Sequence, residues 1–99
     1  MEKTIVIKKD NSLALLLFQL HSERPRVEFD ENVYKFGKRR YRFKIVVMDS
    51  IIFETFEIYE YRNKIILIHG CWEHPWNWCS ACEITREDLN NIEIHIIMS

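Results

Sequence analysis

Three cysteines and one histidine with the spacing of metal ligands lie close together in the last third of the chain. Cys71, His74, Cys79 and Cys82 follow the pattern C-x2-H-x4-C-x2-C. Three thiolates and one imidazole are a suitable ligand set for tetrahedral zinc. Where two ligands are separated by two residues, both can bind one ion from a single turn. Metal binding also supplies folding free energy to a short loop. The spacing therefore predicts a zinc site, with His69 as a spare ligand.

Two other states of these cysteines fit the same spacing. One disulfide from Cys71 to Cys79 or Cys82 would close the loop and leave a free thiol, whereas three reduced thiols would pack as small apolar groups. The pattern resembles a CCHC zinc knuckle in its ligand types and its central gap of four residues, but it lacks the opening Cys-x2-Cys. Zinc, a disulfide and reduced thiols all remain open.

A basic and aromatic segment, residues 34–44, offers a second kind of chemistry. Basic side chains that contact phosphates, interleaved with aromatic rings that stack on bases, are typical of proteins that bind single-stranded nucleic acid. The side chains that would carry this function are Lys38, Arg39, Arg40, Tyr41, Arg42 and Lys44.

The same segment has a purely structural interpretation. If residues 40–48 and 51–61 form a hairpin, residues whose numbers sum to 99 face each other, which places Arg42 opposite Glu57 and Lys44 opposite Thr55. A longer turn shifts the sum to 101, and in both registers the basic strand meets an acidic one. Cross-strand pairs of opposite charge stabilise a sheet by a few tenths of a kcal/mol each. The charge available to a polyanion would be correspondingly smaller.

Composition excludes several classes of function. The chain has 99 residues and only two glycines, Gly37 and Gly70. Phosphate-binding loops, dinucleotide-binding fingerprints and nucleophile elbows all need glycines at fixed spacings that these two cannot supply. The longest apolar run, residues 13–18, is far shorter than the roughly 18 residues of a membrane span. The same region lacks a signal-peptidase site, so we expect an intracellular protein.

Alternating polarity along the chain predicts a mainly β (β-rich α+β) fold. Residues 13–21 fit a helix capped by Ser12 and a buried strand equally well, and the sequence from Thr85 to Asp88 has the form of a helix capping box. We predict one compact domain, residues 1–99, with an antiparallel sheet and at most two short helices. The expected strands are 4–9, 27–29, 33–36, 40–48, 51–61, 64–69 and 92–98, with a loop at 70–83.

The overall composition carries one resemblance. With fourteen isoleucines, one glutamine and two alanines among abundant Lys, Arg and Glu, the chain resembles small proteins of viruses that infect hyperthermophilic archaea, filamentous lipothrixviruses among them. The resemblance implies a heat-stable protein in the host cytoplasm, with surface ion-pair networks and a greater chance of a disulfide. It implies no activity and no functional residue.

Three classes of function follow from these observations. We expect first a small, heat-stable, non-catalytic structural or protein-interaction module, whose partner is an unidentified protein or a second copy of the chain. The alternative is a nucleic-acid-binding protein that uses the basic hairpin. An enzyme is the third class, because four protein ligands would close a zinc ion to substrate and no histidine is fixed beside a cysteine nucleophile.

Overall fold

A six-stranded sheet organises the part of the chain that the structure describes. The structure is a computed structural model that describes residues 4–28, 30–46, 54–71 and 80–98, with only the backbone of Cys71. The strands lie in the order β1-β3-β4-β5-β6-β2. Along the chain the elements are β1 (Thr4–Lys8), α1 (Ser12–Glu23), β2 (Arg26–Val27), α2 (Asn32–Phe36), β3 (Lys38–Val46), β4 (Glu54–Tyr61), β5 (Lys64–Cys71), β6 (Ser80–Ile84) and α3 (Arg86–Met98).

Strands β3 and β4 pair in one of the two registers that the sequence predicts. Their residue numbers sum to 99 along most of the ladder: Arg42 faces Glu57, Phe43 faces Phe56, and Lys44 faces Thr55. Phe43 and Phe56 are fully buried. Because side chains alternate between the two faces of a strand, Arg42 and Lys44 lie on the face opposite these rings. The basic strand therefore pairs with the acidic one, as expected.

The expectation of a purely antiparallel sheet is wrong at one edge. Strand β1 pairs with β3 in parallel, whereas the other strand pairs are antiparallel. Parallel strands need a crossover connection of a dozen or more residues. The segment from α1 to α2 provides this crossover, and the sheet is mixed as a result.

Residues 13–21, which by sequence fit a helix and a buried strand equally well, lie in helix α1. Its cap is Asn11 rather than Ser12, because the Asn11 side-chain oxygen accepts a hydrogen bond from the backbone N–H of Leu13 at 2.8 Å. Leu13, Leu17 and Leu20 recur at helical spacing and are buried. Burial of this leucine face fixes the segment as a helix, in line with the intrinsic helix preference of leucine.

The described residues contain three helices, so the prediction of at most two is wrong. Residues 33–36 and 92–98, expected to be strands, lie in α2 and α3. The predicted capping box is present, because Thr85 and Asp88 exchange backbone-to-side-chain hydrogen bonds of 3.0 Å. Helix α3 continues beyond this cap, and at helical spacing Ile92 is buried whereas Ile94 is 55% exposed. A further strand, β6, begins inside the segment expected to be a loop.

The helices cover the two faces of the sheet unequally. Helices α1 and α3 cover one face, whose buried residues include Phe43, Phe56, Leu67 and Cys82. The short helix α2 covers part of the other face, where Val33 packs with Tyr59, Ile66, Ile68 and Ala81. Among the described residues, no helix has both the length and the apolar character to cross a membrane.

An ion pair joins the end of α1 to the start of α3. The Arg24 guanidinium donates two hydrogen bonds of 2.8 Å to the Asp88 carboxylate. Only 6% of the Asp88 side chain is exposed. The hydrogen bonds from Arg24, which outweigh the effect of burial, lower the pKa of Asp88 to about 2. Asp88 thus stabilises the helix pair while also capping α3.

Replacing Asp88 by Asn should lower the free energy of unfolding at neutral pH by about 2 kcal/mol, because charge-assisted hydrogen bonds are lost in a buried position. The folded-state pKa of Asp88 lies below its usual value of 3.8. Its contribution is therefore present above about pH 4 and is lost as the pH falls towards 2. Chemical denaturation at neutral pH and at about pH 2 measures both effects. The control Glu87→Gln removes an exposed acid from the same turn, and an equal loss in it would contradict the account.

Candidate functional site

The predicted zinc ligands lie mostly outside the described residues. His74 and Cys79 are not described, and of Cys71 only the backbone is. Cys82 is a free and fully buried thiol whose sulfur lies 4.0 Å from the Leu20 carbonyl oxygen. Burial raises the pKa of the Cys82 thiol to about 11. No group of three or more metal-ligating side chains is present in the described part of the chain, and the zinc site stays a prediction.

The residues of the predicted nucleic-acid-binding hairpin make different contacts and do not lie together on one surface. The Arg39 guanidinium donates to the Glu57 carboxylate at 2.8 Å, and the Tyr59 hydroxyl donates to the same oxygen at 2.9 Å. Burial, followed by the nearby Glu57 charge, raises the pKa of Tyr59. This end of the basic strand is therefore engaged with the acidic strand β4.

The next residues of the strand are also engaged, on the face covered by α1 and α3. Arg40 donates to Glu60 at 3.1 Å, and the Tyr41 hydroxyl donates to Glu93 of α3 at 2.9 Å. These contacts hold Arg40 and Tyr41 on one face of the sheet, whereas Arg42 and Lys44 lie on the opposite face. The side chains of the predicted nucleic-acid-binding cluster therefore do not share one surface. Lys38 remains exposed at the start of β3.

A different basic surface forms where β3, β4, β5 and α3 meet at one end of the sheet. We call it the basic groove; its volume is about 420 Å³, and its described lining residues are Phe36, Lys38, Glu60, Tyr61, Arg62, Asn63, Lys64 and Arg86. Four of these side chains are basic and one is acidic. The groove thus gathers cations from three separate segments of the chain.

The charges in the basic groove are incompletely neutralised. Its acid, Glu60, accepts hydrogen bonds from both Arg40 and Arg86, at 3.1 and 3.0 Å. Lys38 and Lys64 are exposed and form no ion pair with another described residue. One carboxylate therefore faces several cations, and an excess of positive charge remains for an anionic ligand.

The turn between β4 and β5 presents Arg62 to the groove. Arg62 and Asn63 both have a positive φ, 51° and 62°, as in the tight hairpin turn that Asn-Gly usually forms. Arginine rarely adopts this conformation because its Cβ crowds the backbone. The Arg62 guanidinium lies 5.2 Å from the centre of the Tyr61 ring. This contact orients an arginine and an aromatic ring in the same part of the groove.

A smaller cavity adjoins the basic groove. Its volume is about 210 Å³, and it lies over the sheet face that α2 partly covers. Tyr61, Arg62 and Lys64 line both the cavity and the groove. The cavity and the groove therefore meet at the β4–β5 turn, which contributes these three lining residues to both.

A pair of histidines on the other sheet face forms a second polar cluster. The rings of His21 and His69 are 4.8 Å apart between their centres. The Nε2 atom of His21 lies 2.8 Å from an Arg26 guanidinium nitrogen and 2.7 Å from the Ser80 hydroxyl. Because an arginine only donates hydrogen bonds, His21 Nε2 accepts one and is unprotonated. The geometry selects the neutral form of this imidazole.

His69 shares this environment. Its ring stacks on Phe56 at 4.5 Å, and its Nε2 atom is buried without a hydrogen-bond partner among the described residues. Oε1 of Glu54 lies 3.7 Å from His69 Nε2. Burial and then the Arg26 charge lower the pKa of His69, and burial, His69 and Arg26 lower that of His21 to about 4. Protonation of either ring is therefore unfavourable in the folded state.

Because of the histidine pair, we expect the free energy of unfolding to rise with pH between about 4 and 6.5. The folded-state pKa values are depressed, so the unfolded chain binds more protons in this window. Replacing His21 by Gln should reduce the rise by on the order of 1 kcal/mol, since solvent screens part of the effect. Thermal or chemical denaturation across this window measures it. The control His95→Gln, on the surface of α3, should keep the wild-type slope, and an unchanged slope in His21→Gln would refute the assignment.

Sequence reasoning missed the basic groove because its cations come from distant positions. The signals were present separately: Arg62 occupies a predicted turn, and Arg86 follows the predicted helix cap. Only the pairing of β3, β4 and β5 brings them to one end of the sheet. Comparison with known proteins adds no further guide, because no family model, curated protein or solved structure matches this chain.

Proposed function

We propose that this protein is a small, non-catalytic binding protein for single-stranded nucleic acid, and that the basic groove is its binding surface. The observation that carries the proposal is the convergence of Lys38, Arg62, Lys64 and Arg86 around one already paired carboxylate. Phosphates are the anions that such a cluster of arginines and lysines binds most generally. The proposal keeps Lys38 from the predicted hairpin but relocates the remaining contacts.

Electrostatics support a localised site rather than a uniformly basic protein. The chain has a formal net charge of −1 at pH 7. Positive charge in the groove must therefore be balanced by acids elsewhere, and a polyanion would be drawn to one end of the sheet. Clefts that carry one sign of charge concentrate ligands of the opposite sign.

The exposed aromatic ring of Phe36 favours single-stranded nucleic acid over a duplex as the ligand. Phe36, which lines the groove, is 74% exposed. An exposed ring beside basic side chains offers a stacking surface for an unpaired base, and such stacking contributes about 1–3 kcal/mol per base. Bases in a duplex are already stacked on each other and do not present their faces.

Charge reversal in the groove should weaken binding of a labelled single-stranded oligonucleotide. The double variant Lys38→Glu/Lys64→Glu is expected to lose at least about tenfold in affinity at low salt, because two phosphate contacts become repulsive. The slope of log K against log salt concentration, where K is the binding constant, should also become shallower by about 1.4, because each lost phosphate contact changes the slope by about 0.7. Fluorescence anisotropy at several salt concentrations measures both quantities.

Two further double variants test whether the oligonucleotide binds to the basic groove or to another surface. Lys8→Glu/Lys9→Glu reverses two exposed lysines at the opposite end of the sheet, and we expect it to bind like the wild type. Arg42→Glu/Lys44→Glu changes the predicted hairpin face. Loss of binding in this last variant with none in Lys38→Glu/Lys64→Glu would overturn the groove as the site. Absence of any salt-dependent binding by the wild type would overturn the proposed function.

A second function, self-association, is favoured by one observation. Ile94, Ile97 and Met98 on the outer side of α3 are 55%, 81% and 80% exposed. These residues are neighbours at helical spacing and form an apolar surface of the kind that contacts another protein. We propose a second copy of this chain as the partner. Native mass spectrometry of wild type and Ile97→Lys tests it: a dimer lost in the variant supports the proposal, and a monomeric wild type contradicts it.

A further inference from the structure

The cavity beside the basic groove is placed to receive part of a ligand bound in that groove. Tyr61, Arg62 and Lys64 belong to both surfaces. A strand whose phosphates lie along the groove would therefore have its bases within reach of the cavity. We infer that the cavity binds one unstacked base of the nucleic acid and prefers cytosine to thymine; this inference rests on the function proposed above.

Size and lining suit one flat ring rather than a larger group. The cavity volume is about 210 Å³, below the roughly 300–1,000 Å³ of sites for drug-sized ligands. Ile66, Ile68 and Ala81 form an apolar floor, and each is at most 6% exposed. An apolar floor beside polar groups is the usual arrangement for binding a base, whose faces are apolar and whose edges are polar.

The polar groups of the cavity determine which base edge fits. Four charged side chains line it: Arg62 and Lys64, which also line the groove and would contact phosphates there, and the exposed acids Glu28 and Asp30, which are left to contact the base edge. The Asp30 carboxylate accepts a hydrogen bond from the backbone N–H of Asn32 at 2.9 Å, which orients it at the start of α2. Ionised carboxylates only accept hydrogen bonds. Cytosine presents an amino donor at the position where thymine presents a carbonyl oxygen, which these carboxylates would repel.

Cytosine and thymine provide the sharpest test, because both are pyrimidines and the amino donor of cytosine is replaced by a carbonyl acceptor in thymine. The probes are labelled oligo(dC) and oligo(dT) of about 12 nucleotides, within the site sizes of small single-strand-binding folds. We expect the wild type to bind oligo(dC) at least about fivefold more tightly than oligo(dT), the lower range for one base-edge contact. The affinity ratio is the readout, since phosphate contacts are common to both probes.

The variant Glu28→Ala separates a base contact from a change in charge. Removing this acid should strengthen binding of both probes slightly, because the surface becomes more positive, whereas the ratio should fall towards one. Asp10→Ala, which removes an exposed acid at the β1–α1 turn, should keep the wild-type ratio. A second variant, Ala81→Leu, fills the cavity floor and should also lower the ratio. Its fold is checked by circular dichroism.

The outcomes distinguish this inference from the proposed function. Equal binding of the two oligonucleotides by the wild type, or an unchanged ratio in Glu28→Ala, overturns the base pocket and leaves the groove in place. Failure to bind either oligonucleotide overturns the proposed function and the pocket with it. Free cytidine monophosphate that binds as tightly as oligo(dC) would show that a mononucleotide, rather than a strand, is the ligand.

Discussion

The pairing of a basic strand with an acidic strand determines which charges this protein can offer to a ligand. Along β3 and β4, Arg39 is bound to Glu57 and Arg40 to Glu60. Partly buried ion pairs of this kind hold both partners in one geometry, and they remove cations that the sequence alone would assign to a nucleic acid. The excess positive charge then lies at the end of the sheet, where Lys38 and Lys64 are exposed. The groove is thus a consequence of the hairpin register.

The same network links the groove to the rest of the fold. Glu60 contacts Arg86 at the start of α3, and Asp88, two residues further along the helix, binds Arg24 at the end of α1. Helix α3 therefore cannot shift without disturbing both the groove and the helix layer. The desolvation penalty of ion pairs falls as the temperature rises, so networks of such pairs contribute more to stability in hot conditions.

Local signals in the sequence were sufficient for some elements and insufficient for others. The β3–β4 register is one of the two that the sequence allowed, and the capping box of α3 followed from Thr85 and Asp88. The alternating isoleucines of 92–98 suggested a strand, yet the helix that begins at Arg86 continues because Leu89 and Ile92 reach the core at helical spacing. Residues 33–36 became helix α2 because Val33 packs onto Tyr59 and Ile66. The groove depends on contacts between distant segments, which no single stretch of sequence reveals.

The most direct test of the account is an NMR titration of the labelled protein with oligo(dC). Backbone amide signals report which part of the surface the oligonucleotide contacts, without any substitution. The account predicts that the largest shifts occur at residues 36–38, 61–64 and 86, with small shifts along residues 42–46 and at the β1–α1 turn. Shifts centred on 42–46, or no shifts at low salt, would contradict it.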